Sequence, residues 1–232
     1  LTQLALEATV DAGKKILAIY SKNISVSVKS DGSPLTEADK VSHDTIVEKL
    51  SLTNFPILSE EGKNIHFDVR NKWQHYWLVD PLDGTKEFIK RNGEFTINIA
   101  LMENRIPVSG VIFQPVTGVA LVGITGDGLY KYSSNEKLII RDKNKLVIVN
   151  TQKNNTRVIA SRSHMTEKTE GFINELKSKQ KNVELVNAGS SLKFCLLAEG
   201  KADIYPRFAP TMEWDTAAGH ALLKSVGKNI YL

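Results

Sequence analysis

The run Asp80-Pro81-Leu82-Asp83-Gly84-Thr85 constrains this chain more than any other stretch. Trp77, Leu78 and Val79 before it read as a buried strand, so Asp80 emerges at that strand's C-terminal end, where Pro81 favours extended geometry. Asp83 then follows on a turn. Two carboxylates on one rigid turn repel each other unless a cation sits between them, and hard oxygen donors of this kind suit Mg²⁺. The carbonyl of Leu82 offers a third oxygen. The competing reading is a solvent-exposed turn, because Asp, Pro and Gly are ordinary turn residues.

Three further features favour the cation reading. Glu60 and Glu61 follow the apolar stretch Pro56 to Leu58 and make a second acidic strand end. Glu213-Trp214-Asp215 directly precedes a helical pattern of Thr216, Ala217, Ala218, Ala221 and Leu222. Gly84 and Thr85 stand where a phosphate accepts backbone N–H groups at a turn or helix start. Singly, each has a plainer explanation: Asp215 as an N-cap, Glu60 and Glu61 as solvated loop residues. Together they bring acidic groups to three separate element ends, as polymetal sites are assembled.

Around this constellation the chain reads as α+β passing into α/β. An amphipathic helix opens it, with Leu1, Leu4, Ala5, Ala8, Ala12, Ile16 and Ile19 at helical spacing. Alternation at Ile24, Val26 and Val28 and a loop from Ser30 to Leu35 precede a second helix, with Thr36 as N-cap and Asp39 in its first turn. Strands are predicted at Pro56 to Ser59, Trp77 to Asp80, Thr96 to Met102, Val108 to Gln114, Val119 to Ile124 and Leu129 to Tyr132, forming a largely antiparallel sheet. Strands near Arg157 to Ala160, Val183 to Val186 and Asp203 to Tyr205 then alternate with helices near Glu167 to Ser178, Ser191 to Ala198 and Thr216 to Ser225. The division falls between Lys143 and Asn155, giving an N-terminal part, 1–150, and a C-terminal part, 151–232, within one compact unit.

Composition excludes several alternatives. Lys and Arg number 30 against 26 Asp and Glu, a formal charge of +4, too mild and too dispersed for a nucleic-acid footprint. The single Cys195 forms no internal disulfide or Cys-rich zinc site, which points to a reducing compartment. No apolar run approaches the roughly 18 residues of a membrane span, and the start lacks the layout of a signal peptide. Leu1 stands inside a helical pattern and Leu232 ends an apolar stretch, so both ends read as trimmed.

In three ordered motifs, LSEEG at 58–62, DPLDGTKEF at 80–88 and EWDTAAGH at 213–220, the sequence resembles the inositol monophosphatase superfamily of lithium-sensitive, Mg²⁺-dependent phosphatases. The resemblance covers essentially the whole chain and implies a layered αβαβα sandwich of the sugar-phosphatase type. Lys86-Glu87-Phe88 after the DGT run, SRSH at 161–164 and GSSLKFCLLAEGKADIYPRF at 189–208 make it most similar to the bacterial CysQ-type 3'(2'),5'-bisphosphate nucleotidases. That implies hydrolysis of adenosine 3',5'-bisphosphate to AMP and phosphate, a role in sulfur metabolism and a cytoplasmic place, with peripheral association with the inner membrane left open.

Carried over by position, the resemblance gives one Mg²⁺ to Glu60, Asp80 and the Leu82 carbonyl and a second to Asp80, Asp83 and Asp215, and leaves room for a third near Glu60. It puts the scissile phosphate on Gly84 and Thr85, and makes Asp39 the acceptor for the Thr85 hydroxyl that orients the attacking water. It brings His164 near the adenosine, Ser190 and Lys193 around the nucleotide, and Arg207 near the second phosphate. Read alone, His164 is a solvated loop histidine and Lys193 a helix-surface lysine. Lys86, Lys90 and Arg91 read as a solvated helix face whose position suits steering of an anionic substrate.

The expected mechanism is in-line attack by metal-activated water with no covalent intermediate, the metals lying roughly 3.5–4 Å apart. No G-x-S-x-G elbow or H-E-x-x-H run is present, and Cys195 sits in an apolar helical stretch. Two other readings stand beside it: an inositol or sugar monophosphate phosphatase, and a non-catalytic binding module. The complete acidic set argues against the second.

Overall fold

The computed structural model describes residues 1–22, 26–28, 34–135, 139–141, 144–148, 155–160, 166–180 and 182–231. Its elements are α1 (Thr2–Tyr20), β1 (Val26–Val28), β2 (Pro34–Thr36), α2 (Glu37–Leu50), β3 (Ile57–Ser59), α3 (Phe67–Arg70), β4 (His75–Asp83), α4 (Thr85–Ile89), β5 (Thr96–Glu103), β6 (Ile106–Gln114), β7 (Val119–Ile124), β8 (Gly128–Ser133), β9 (Thr156–Ala160), α5 (Glu167–Lys179), β10 (Val183–Asn187), α6 (Leu192–Ala198) and α7 (Glu213–Ser225). Helical periodicity explains α1, whose buried Ala5, Ala8, Thr9, Ala12 and Ile16 line one stripe. At the start of α2 the Ala38 N–H donates to the Thr36 hydroxyl at 3.2 Å, and the Asp39 carboxylate accepts the Thr36 N–H at 2.7 Å, a reciprocal cap.

Strand alternation builds the layers. The central sheet has the order β3-β4-β5-β6-β7-β8. Its Trp77, Val79, Ile97, Ile99, Val111, Phe113 and Val122 pack against α1 and α2, while Leu58, Leu78, Ala100, Ile112 and Leu121 pack against α6 and α7. A second, two-stranded parallel sheet, β9-β10, follows. Ile159 of β9 joins the core under α6 and α7, whereas Val158 and Ala160 join Ile173 of α5. The stack is thus helix, sheet, helix, sheet, helix, the predicted αβαβα sandwich. Close approach binds α7 to the central sheet, for a side chain at Gly110 would lie 2.6 Å from the Ala218 carbonyl oxygen.

Two local expectations need correction. Leu35, expected in a loop, lies in β2; Ile24 and residues 30–33 lie outside the described residues. The stretch Asp203 to Tyr205 makes only an isolated parallel bridge, Ile204 to Val158, and no third strand. The central sheet is antiparallel as expected except at β3 and β4, which pair in parallel. No helix among the described residues is long and apolar enough to cross a membrane.

Candidate active site

The parallel pairing of β3 and β4 aligns two C-terminal strand ends. Ser59 lies opposite Val79, and the next residue, Glu60, donates its N–H to the Val79 carbonyl at 3.1 Å, so Glu60 is carried alongside Asp80. Strand ends of this polarity are where open α/β sheets present their ligands.

Asp80 and Asp83 depend on a change of register. Asp80 pairs with Asn98 and Asp83 with Thr96, so three steps along β4 match two along β5. Residues three apart on a regular strand face opposite sides. The one-residue bulge restores both aspartates to one side, as bulges commonly do beside active sites. The predicted turn at Asp83 is therefore a bulged continuation of β4, and the Ser42 hydroxyl holds it by donating to the Pro81 carbonyl at 2.7 Å. The chain turns only at Gly84, whose φ of 92° is left-handed and suits glycine.

Asp80 is 1% exposed. Burial first, then the neighbouring charges of Asp83, Glu60 and Asp215, push its carboxyl well above the usual carboxylate range, against the pull of the Leu82 N–H. Three carboxylates therefore act on a buried fourth. Asp215 arrives from the first turn of α7, not from its N-cap, and its Oδ2 accepts from the Thr211 hydroxyl at 2.7 Å and the Met212 N–H at 3.0 Å. Burial raises its pKa too. Asp39, 1% exposed, accepts from the Thr85 hydroxyl through Oδ1 at 3.1 Å and from the Thr36 hydroxyl through Oδ2 at 2.6 Å. The Thr85 hydroxyl also lies 3.4 Å from the Leu82 carbonyl.

Glu60, Asp83, Gly84, Thr85 and Asp215 line a cavity of about 1480 Å³ with Ser190, Lys193 and Arg207 on its walls. The Ser190 hydroxyl donates towards Asp83 Oδ2 at 2.7 Å and the Asp83 carbonyl at 3.0 Å. Lys193 is a buried lysine, 5% exposed, and not the helix-surface residue its sequence position suggests. Its ammonium donates to the Ser190 carbonyl at 2.6 Å and lies over the Tyr205 ring, and burial lowers its pKa. Arg207 donates to the Tyr205 hydroxyl at 3.2 Å and the Pro210 carbonyl at 3.3 Å. Lys86 and Lys90 line the same cavity. Arg91 is tied elsewhere, donating to the Tyr20 carbonyl at 2.6 Å. His164 lies outside the described residues. Cys195, on α6 itself, packs against the core that α6 and α7 cover, where burial pushes its thiol pKa up.

The donor set is all oxygen and strongly acidic, which fits a hard divalent cation. Among the described residues no three His, Cys, Asp or Glu side chains yet converge on one point. Asp83 and Asp215 instead spend an oxygen on hydroxyl and amide donors. Sequence reasoning missed Ser191, Asn98 and Thr211 among these donors, and Ser42, which holds the Pro81 carbonyl. Asn98 did leave a signal, as the polar residue within the apolar run from Ile97 to Met102.

Comparison with known proteins follows the same lines. A family model for the inositol monophosphatase family matches residues 1–231. The chain is 44% identical over 226 residues to 3'(2'),5'-bisphosphate nucleotidase CysQ of Salmonella typhimurium, covering 95% of this chain and 86% of that protein. It is 48% identical to the crystal structure of CysQ from Bacteroides thetaiotaomicron, with a TM-score of 0.86 over 97% of this chain and 86% of that one. Inositol monophosphatase from Anabaena shares the fold at 23% identity, with a TM-score of 0.69 over 97% of this chain and 80% of that one.

Proposed function

The chain belongs to the inositol monophosphatase family, and from that premise we propose a function and an assignment of its site. It is a 3'(2'),5'-bisphosphate nucleotidase, a phosphoric monoester hydrolase that converts adenosine 3',5'-bisphosphate to AMP and phosphate. The observation that carries this is the 44% identity to a curated nucleotidase over 95% of the chain. The cavity agrees with it, having carboxylates on one side and Lys193 and Arg207 on the other. An inositol or sugar monophosphate phosphatase is the weaker reading, since the inositol monophosphatases that match do so near one-fifth identity and share only the fold.

In our assignment Glu60, Asp80 and the Leu82 carbonyl would hold one Mg²⁺, and Asp80, Asp83 and Asp215 would hold a second, with room for a third near Glu60. When bound, magnesium acidifies the attacking water and stabilises the leaving 3'-oxygen. The protein's own groups arrange the rest. Asp39 accepts the hydrogen bond that the Thr85 hydroxyl donates, which leaves the Thr85 oxygen lone pairs free to accept from and orient the water. Backbone N–H groups of Gly84 and Thr85 receive the scissile phosphate. Lys193, Arg207 and Ser190 face the nucleotide, with Arg207 at the second phosphate, and His164 is placed by the adenosine. Attack is in line, with no enzyme-bound intermediate. Residues 1–150 thus carry most of the cation site and 151–232 the nucleotide wall. We place the activity in the cytoplasm, in sulfur metabolism.

Phosphate release from adenosine 3',5'-bisphosphate should require Mg²⁺, stop in EDTA and fall with Li⁺. Undiminished release in EDTA would refute the metal assignment. Equal or faster release from an inositol monophosphate would replace the nucleotidase by the weaker reading.

A further inference from the structure

We propose that Asn98 and Ser191 are positioning residues that commit Asp83 to its cation through a single oxygen. The proposal rests on the site reading above, in which Asp83 is a ligand.

Thr96 and Asn98 lie two apart on β5, on one side of the strand and opposite the bulge, in register with Asp83 and Asp80. Thr96 meets Ser190, hydroxyl to hydroxyl, at 2.7 Å, and the Asn98 amide donates to the Ser191 hydroxyl oxygen at 2.9 Å. A serine hydroxyl has one proton to give. With its oxygen accepting from Asn98, Ser191 directs that proton to Asp83 Oδ2 at 2.7 Å, and the Asp215 carbonyl stands second at 3.3 Å. Ser190 also reaches Oδ2 at 2.7 Å, and the Asn98 amide approaches it at 3.5 Å. Among the described residues no hydrogen bond reaches Oδ1 of Asp83. One oxygen is therefore saturated by the protein and the other is left for the cation.

The orientation of Asn98 carries a cost that points the same way. Asn98 is 1% exposed, and its Oδ1 is buried with no hydrogen-bond partner among the described residues. Such an orphan is uncommon in folded proteins. Rotating the amide would satisfy Oδ1 with the Ser191 proton, but would take that proton from Asp83. The unsatisfied oxygen is what keeps Ser191 a donor to the carboxylate. Because Ser191 also touches the Asp215 carbonyl, the pair joins β4, β5 and the starts of α6 and α7 around the site.

Calorimetric titration of the whole chain with magnesium tests this, on the unaltered protein and on Ser191→Ala, Asn98→Ala, the double variant and Ser191→Thr, each checked by thermal unfolding. Each alanine variant should bind magnesium about ten- to a hundredfold more weakly. The double variant should be no weaker than Ser191→Ala, because Asn98 acts through Ser191. Ser191→Thr keeps the hydroxyl and should restore binding. If Ser191→Ala does not fold, Asn98→Ala decides alone. Unchanged affinity in the alanine variants, or losses that simply add in the double variant, would overturn the proposal. Failure of the unaltered chain to bind magnesium would overturn the site reading itself, and this proposal with it.

Discussion

The two walls of the cavity are built by different means. On the acidic wall, Asp83, Glu60 and Asp215, with the buried Asp80 beside them, are placed by backbone: a bulge in β4, a parallel strand pair and the first turn of α7. On the basic wall, Lys193 and Arg207 are placed by side-chain contacts with Tyr205 and with the carbonyls of Ser190 and Pro210. A ladder fixes atoms within fractions of an ångström, as the chemistry requires. Side chains resting on a loop can be exchanged at smaller cost, so under the proposed assignment the choice among phosphorylated substrates would reside there.

If that contrast holds, substitutions on the acidic wall should remove turnover and those on the basic wall should remove affinity. Asp83→Asn should have the largest effect, lowering kcat by about a thousandfold with the fold intact by circular dichroism; near-normal turnover would erase the distinction. Arg207→Ala should raise KM for the bisphosphate about tenfold, the loss of one charge-assisted hydrogen bond, with a smaller change in kcat. A dominant loss of kcat would move Arg207 to the chemical side.

The smallest effect concerns stability. The folded-state pKa of Asp80 is raised, so between the usual carboxylate pKa and that raised value the folded form holds the extra proton. Stability of the metal-free protein should therefore rise as pH falls through that raised value toward the ordinary carboxylate range, and be lost again as pH rises. Asp80→Asn removes the buried charge, and should raise the metal-free melting temperature at neutral pH by at least about 3 °C while abolishing activity. A lower melting temperature across that range would show that Asp80 is already neutralised by its surroundings.

Much of the acidic wall is legible in the sequence. Local signals, an apolar run ending in acid, a helix starting beside acid, and Thr36 ahead of Asp39, name the residues without any long-range information. Val119 to Ile124 was bounded correctly because its turns flank it closely. The bulge was not legible, since alternation cannot reveal one extra residue where proline interrupts the pattern. Nor was the parallel pairing of β3 with β4, because an apolar run looks the same in either direction. Ser191 and Asn98 stand 93 positions apart, and only folding brings them together. Lys193 was misread on its helix because the far side of α6 meets Tyr205, a contact no periodicity announces.

The bulge also sets how this chain can vary over generations. Residues 71–74, which lead into β4, lie at the far end of that strand from the carboxylates and have room to vary in length. The interval from Asp80 to Asp83 has no such freedom, because one residue gained or lost exchanges the side of the sheet on which the second carboxylate stands. Drift in length is closed there, and drift in identity is narrowed as well, at Leu82 for instance, whose side chain is 2% exposed in the core that packs against α1 and α2.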